Sequence, residues 1–376
     1  MLLLLATGGP ADGAEPELPR LRSHVETLAS PEFAGRRGEG AARSRDYILA
    51  EFRRLGLAPL FGESYTQEIP DANTGEVLGV NVAARIPGTD PALRDEWVVL
   101  GVHYDHLGSR DGFYFPGADD NASGVAMMLE VARSIAEGPE KPRRGIAFVG
   151  FDLEEVGPKG EFGLRGSRYF ANHSPIPIDQ IRLFVTADMI GRALGGVCLS
   201  KVFVLGSEHA PGLRPWIADA AKGRPAEVAL LGADMLVIDR SDYGPFLSRS
   251  VPFLFFTTGE NPVYHTPRDV AETLDYPKFE AISRIIMGVI RESTRAEKMP
   301  TWSAVPDHPV AEALAVRDVL RILIENRDRL KIGQTQLFLM RNCLRVIDGI
   351  EERRAMTPAE RTGIVRVAQV VLFTVF

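Results

Sequence analysis

Apolar residues in this chain gather in short, dense runs separated by amphipathic stretches. Residues 97–102 form one run and end at His103, 146–151 form a second just before Glu154, 183–187 a third ending at Asp188, and 251–256 a fourth shortly before His265. Runs this uniformly apolar predict strands covered on both faces. Between them, residues 123–137 place Val125, Met128, Leu129, Val131, Ala132 and Ile135 at helical intervals, and residues 279–295 do the same with Ile282, Ile285, Ile286, Val289 and Ile290. Residues 19–60 also read as helical, with Ala42, Tyr47, Ile48, Phe52 and Leu55 as the apolar positions of 40–55. Strands alternating with helices predict an α/β sandwich with a largely parallel centre.

The texture changes at residues 300–309, where Pro300, Pro306 and Pro309 predict a linker. Beyond it, Val316, Val319, Leu320 and Leu323 form a helical stripe, and Thr357-Pro358-Ala359-Glu360 reads as an N-cap, a first-turn proline and a capping box. The expected division is 1–18 as an N-terminal segment, 19–299 as the main domain, 300–309 as linker and 310–376 as a helical appendage. A chain of 376 residues has room for this, since single cores stop growing at roughly 250–300 residues. The N-terminal Leu2–Leu5 run followed by small residues resembles the end of an export signal, although no positive region precedes it. No stretch reaches the ~18 apolar residues of a membrane span.

Hydrophobic residues at 45% and charged ones at 25% describe an ordinary globular protein. A net charge of -7 without a basic run argues against nucleic acid as a partner. Two distant cysteines, Cys198 and Cys343, exclude a thiolate metal site and a disulfide framework.

The chemistry lies just past the apolar runs. In open α/β sheets, ligands gather beyond the carboxyl ends of strands, and His103, Glu155, Asp188 and His265 stand there. Asp119, in Gly117-Ala118-Asp119-Asp120-Asn121, joins them. It lies a full turn too early to cap the helix that follows, a task Ser123 or Asn121 would meet. Two histidines and three carboxylates suit a pair of borderline divalent ions such as zinc. The spare carboxylate of Glu154 suits a general base. Asp105 is placed to hold the second ring nitrogen of His103. His106 is a further candidate, but its side chain is expected to point away if 103 and 105 share a face. Each residue alone has a plain alternative as a cap, turn or core group. Their shared position at one sheet edge does not.

Together these strings resemble the di-zinc exopeptidase family of bacterial leucyl aminopeptidases and glutamate carboxypeptidases, over roughly residues 21–297. The resemblance implies a phosphorylase/hydrolase-like three-layer α/β/α sandwich with a mixed, mostly parallel sheet. It implies two Zn2+, one held by His103 and Asp188, the other by Glu155 and His265, with Asp119 bridging. It makes Glu154 the general base, Asp105 the orienting group for His103, and Tyr264 a donor to the oxyanion. The family's cis peptide is expected between Asp119 and Asp120. Tyr243 stands where many relatives carry His. Residues 156–162 read as an insertion, and an alternative alignment makes Glu161 the ligand in place of Glu155.

The expected activity is therefore a metallo-aminopeptidase acting on peptides, exported to the periplasm or outside the cell. The rivals are a carboxypeptidase on the same scaffold, with Arg165 or Arg192 holding the substrate carboxylate, a single-zinc glutaminyl cyclase, and a binding scaffold without catalysis.

Overall fold

A computed structural model of the chain describes residues 15–110, 112–157 and 163–376. The expected export segment lies almost wholly in residues 1–14, outside the described residues, as does Glu161. The strands are β1 Ala58–Pro59, β2 Thr66–Pro70, β3 Val77–Ile86, β4 Trp97–His103, β5 Ser109–Arg110, β6 Phe113–Tyr114, β7 Gly145–Phe151, β8 Ile181–Ala187, β9 Lys201–Leu205, β10 Glu227–Leu231 and β11 Phe253–Thr257. The helices are α1 Leu18–Leu28, α2 Glu39–Arg54, α3 Gly124–Ala136, α4 Arg165–His173, α5 Arg214–Ala221, α6 Gly244–Leu247, α7 Tyr276–Arg295, α8 Val310–Glu325, α9 Gln334–Arg353 and α10 Pro358–Val375.

Nine strands form one sheet in the order β1-β3-β7-β4-β8-β11-β9-β10, with β2 also on β3. The centre, β7-β4-β8-β11, is parallel, while β3, β9 and β10 run against it. This is the mixed, mostly parallel sheet with helices on both faces. The four apolar runs are those four central strands, because buried parallel strands carry apolar residues on both sides. Alternation within them sorts the core. Val98, Leu100 and Val102 of β4 face a cluster shared with α1, α2, α3 and α7, and Val99 faces a second. The outer strands β2, β3, β9 and β10 escaped the sequence reading, their runs being shorter or broken by polar residues. The helical reading of 19–60 is interrupted at 29–38, which contains a short turn at Pro31–Phe33, and residues 58–59 are strand.

The second cluster includes the C-terminal helices. Ala313, Val316, Leu320 and Leu323 of α8, Leu337 and Met340 of α9, and Ile364 and Val371 of α10 pack in it with Phe203, Leu205 and Phe255 from the sheet. Thr357 and Glu360 make the reciprocal capping box of α10. The proline-containing segment lies along the main body, with Trp302 stacked on His209 at 4.0 Å and Asp307 N–H donating to Glu208 O. Among the described residues no helix is long and apolar enough to cross a membrane.

Candidate metal centre

Three strand ends, the loop after β11 and one turn converge at the carboxyl edge of the sheet. β4 ends on His103, β8 runs into Asp188, and the chain after β7 turns back at Leu153, in the left-handed conformation, to present Glu154 and Glu155. Met189 and His265 share that conformation. For non-glycine residues it is uncommon and concentrates at functional sites. The turn Ala118–Ser123 enters the buried helix α3 and supplies the aspartates. Gly117 must be glycine here. Its φ is +59°, and a Cβ would lie 2.2 Å from Asp120 O.

Two groups of ligand-type atoms form, each within 4.8 Å: His106, Asp120, Glu155 and His265 in one, His103, Asp120 and Asp188 in the other. His265 Nε2 stands 3.1 Å from Asp120 Oδ2 and 3.3 Å from Glu155 Oε1. His103 Nε2 stands 3.5 Å from both Asp120 Oδ1 and Asp188 Oδ1. Buried polar atoms nearly always have partners, yet His103 Nε2, His265 Nε2 and Asp188 Oδ1 are buried and make no hydrogen bond. Unpaired donor atoms of these types, converging from several elements, fit divalent cations.

Asp120, rather than Asp119, is the aspartate common to both groups. Asp119 lies in neither group, because its carboxylate is already engaged. It accepts from Gly191 N–H at 2.6 Å and from Asn261 Nδ2 at 3.1 Å. The backbone N–H groups of Asp119 and Asp120 donate to Asp269, which is held in turn by Arg192 at 2.9 Å. The cis peptide is likewise one residue later, Asp120–Asn121. Of the two capping candidates, Asn121 accepts from Gly124 N–H, while the Ser123 hydroxyl donates to Asp119 O.

His106 also departs from expectation. β4 stops at His103, so alternation no longer governs 106, and its Nδ1 lies 3.0 Å from Glu155 Oε1. Asp105 braces a different element than expected. Its carboxylate accepts from the N–H groups of Glu154 and Glu155 and stands 3.8 Å from His103 Nδ1, which instead lies 3.3 Å from the Asp105 carbonyl.

Sequence reasoning missed Arg36 and Asp242. Arg36 is fully buried and donates to the carbonyls of Tyr104, Gly117 and Asp120, tying the two ligand-bearing loops together. Asp242 is buried with both oxygens unpaired. Burial first, then Asp188, raises its carboxyl to about 6, opposed by His103. Neither residue carried a signal, since an Arg-Arg pair between glycines and an Asp before a short helix are commonplace. Tyr243 is core, stacked on Phe253 and Phe255. Tyr264 is half-buried and stacks on His265 at 3.8 Å.

Charge divides the site. Burial pushes Glu154 well above the usual carboxylate range, with Glu155, Asp188 and Asp242 adding to the effect against His103. Glu155 sits well below that range despite its burial, because His106 and His265 face it. Asp120 is lowered against its burial by the same two rings, whereas burial and then Asp269 raise Asp119 to about 8. Although burial opposes it, the surrounding carboxylates raise His103 well above its ordinary value, and Asp120 and Glu155 raise His265 to about 10. So dense a set of carboxylates calls for positive charge, and nearby cations would return Glu154 toward the ionised form a base needs.

Residues 81–290, more than half of the chain, match the profile of peptidase family M28. Over 262 residues the chain is 24% identical to Aminopeptidase YwaD of Bacillus subtilis (strain 168), covering 65% of this chain and 52% of that protein. The chain thus spans about half the length of that relative. It is 30% identical over 257 residues to Glutaminyl-peptide cyclotransferase of Boiga irregularis, covering 57% of this chain and 66% of the other. The crystal structure of BSAP, a zinc aminopeptidase from Bacillus subtilis, shares the fold with a TM-score of 0.58 at 15% identity, over 78% of this chain and 99% of that one.

Proposed function

The chain belongs to peptidase family M28, and on that premise we propose that it is a metal-dependent aminopeptidase that removes N-terminal residues from peptides, with two Zn2+ as cofactor. The observation that carries this reading is the pair of buried ligand groups meeting at Asp120, with the uncommitted carboxylate of Glu154 4.0 Å from His103. His103 and Asp188 would hold one cation, and Glu155 and His265 the other, with His106 beside them. Such ions supply Lewis acidity and lower the pKa of water.

The protein's own groups do the rest. Glu154 takes a proton from the attacking water and returns it to the departing amine. The Asp105 carboxylate, by accepting the N–H groups of Glu154 and Glu155, sets the angle at which both carboxylates enter the site. Tyr264, whose phenol is held protonated by burial and by the negative charge of Asp120 and Glu155, donates to the oxyanion. Of the two arginines the carboxypeptidase rival could use, Arg192 is committed to Asp269 and to the carbonyls of Thr273 and Val270, which leaves that reading with Arg165 alone.

The test is metal content together with hydrolysis of aminoacyl-nitroanilides, in the wild type and in Glu154→Gln. The expected result is two zincs per chain in both proteins and turnover reduced by roughly 10²–10⁴-fold in the variant. One metal with cyclisation of N-terminal glutamine would transfer the chain to the cyclase reading that the Boiga irregularis relative suggests. Glu154→Gln with wild-type turnover would remove the assigned base.

A further inference from the structure

The metal centre opens into a cavity of about 360 Å³ whose far wall is made by the C-terminal helices. Asp120, Glu154, Glu155 and Asp188 line one end, while Val319, Leu320 and Leu323 of α8 and Ala368, Leu372 and Phe373 of α10 line the other. Phe203, Leu205 and Phe255 form the floor on the sheet. These helices lie outside residues 81–290, so the wall is a feature of this chain beyond the part that matches the family.

We propose that α8 and α10 are the specificity wall of the site, and that the chamber selects substrates whose acyl half carries an apolar group longer than a leucine side chain. This rests on the aminopeptidase reading and extends it. Three observations support it. The first is size. A cavity of about 150 Å³ already holds a benzene ring, and this one is more than twice as large. The second is chemistry. Away from the metal end, the few polar lining side chains already hold partners: Arg240 pairs with Glu260 at 3.2 Å, Thr257 Oγ1 accepts from Gly259 N–H, and Gln369 donates to Asp234 O. The rest of the lining there is apolar side chain, so peptide groups would find few partners, whereas an alkyl or aromatic chain needs none. The exposed rim is apolar too, with Val237 and Ile238 70% and 63% exposed.

The third is anchoring. Arg361 of α10 bonds both carboxylate oxygens of Glu312 at 2.8 and 3.0 Å and those of Asp234 at 2.7 Å, and Glu312 accepts from Gly232 N–H. That lattice fixes α8 and α10 to the segment bearing Met235 and Leu236, which also lines the chamber. The acyl half is the one enclosed because the leaving half of a peptide has arbitrary length and must run to solvent.

The experiment uses the full, metal-loaded chain. Binding of straight-chain 2-aminoalkanoic hydroxamates, with side chains of about one to eight carbons, is measured by calorimetry beside hydrolysis of the matching nitroanilides. Affinity should rise about fourfold per methylene, the ratio for ~0.8 kcal/mol of buried CH₂, until the chamber is full. In Ala368→Trp, and independently in Val319→Phe should the first fold poorly, the rise, measured relative to the alanyl compound in the same protein, should stop several carbons sooner than in the wild type. Affinity flat beyond the leucine-sized compound, or a rise unaltered by both variants, would overturn the proposal. A chain-length rise without hydrolysis would keep the chamber and sink the aminopeptidase reading. Hydrolysis without the rise would do the reverse.

Discussion

The two ends of the chamber are held together by opposite physics. At the metal end, loops after strands drive four carboxylates into a space too small for their mutual repulsion, with Asp120 and Glu155 lowered by imidazoles and Glu154 and Asp188 raised by burial. Such an arrangement is unfavourable by itself, and the surrounding structure has to impose it. Arg36, Asp105 and Asp269 do so through hydrogen bonds to the backbone of the ligand loops. At the far end, Leu320, Leu323 and Val371 are buried by apolar contact, which is favourable without direction. The Arg361–Glu312–Asp234 lattice adds a polar anchor at its edge. Chemistry therefore sits where geometry is over-determined, and selectivity where packing is adaptable.

The contrast breaks most sharply at Asp120. Asp120→Asn should abolish binding at both cation positions and cost several kcal/mol of transition-state stabilisation, roughly a thousandfold or more at about 1.4 kcal/mol per decade. Asp119→Asn should keep the metal and lose only the roughly 10–100-fold typical of an outer-sphere support. Metal analysis with turnover checks both, and equal losses in the two variants would erase the distinction drawn between neighbours.

At the apolar end, Arg361→Leu leaves Glu312 buried without its main partner. Glu312 is held at about 2 against its burial, by His308 and Arg361. Removing one member of a buried pair costs roughly 3–5 kcal/mol, so thermal unfolding should begin at clearly lower temperature, with the long-chain preference weakened and alanyl turnover retained. An unchanged melting temperature would show that the lattice does not hold the helices.

The smallest effect is graded with pH. The metal-free His265 has its pKa raised to about 10 from an ordinary value near 6.5. Its protonated form therefore contributes stability that is fully present below about 6.5 and lost as pH rises through about 10. A cation needs the neutral ring, so acidification must weaken its binding, by about tenfold per pH unit for each proton displaced. Zinc affinity measured from about pH 8 down to about pH 6 should fall accordingly, and a flat profile would mean that His265 is not titrating against the metal.

Much of the framework was legible locally. The central strands announced themselves by continuous apolar runs, α3 and α7 by their period, and α10 by Thr357 and Glu360, whose capping box involves only residues three apart. The placement of His103, Glu155, Asp188 and His265 at one edge followed from strand direction. Adjacent acids were not resolvable in that way. Asp119 and Asp120 differ in role because Gly191 and Asn261, far away in the chain, occupy the carboxylate of one and leave the other to the histidines. His106 entered the site because β4 ended three residues before it.

From its own text, then, the chain determined that chemistry-bearing residues follow the ends of its buried strands, the need for cations implied by them, and the helices that follow the linker. Only the tertiary structure decided which aspartate joins both ligand groups, what braces the loops, and that the C-terminal helices close a chamber over the site. Those are outcomes of contacts between residues tens to hundreds of positions apart, such as Arg361 with Asp234 or Asp119 with Asp269. No local pattern encodes them, because a side chain's partner is set by the space in which the whole fold leaves it.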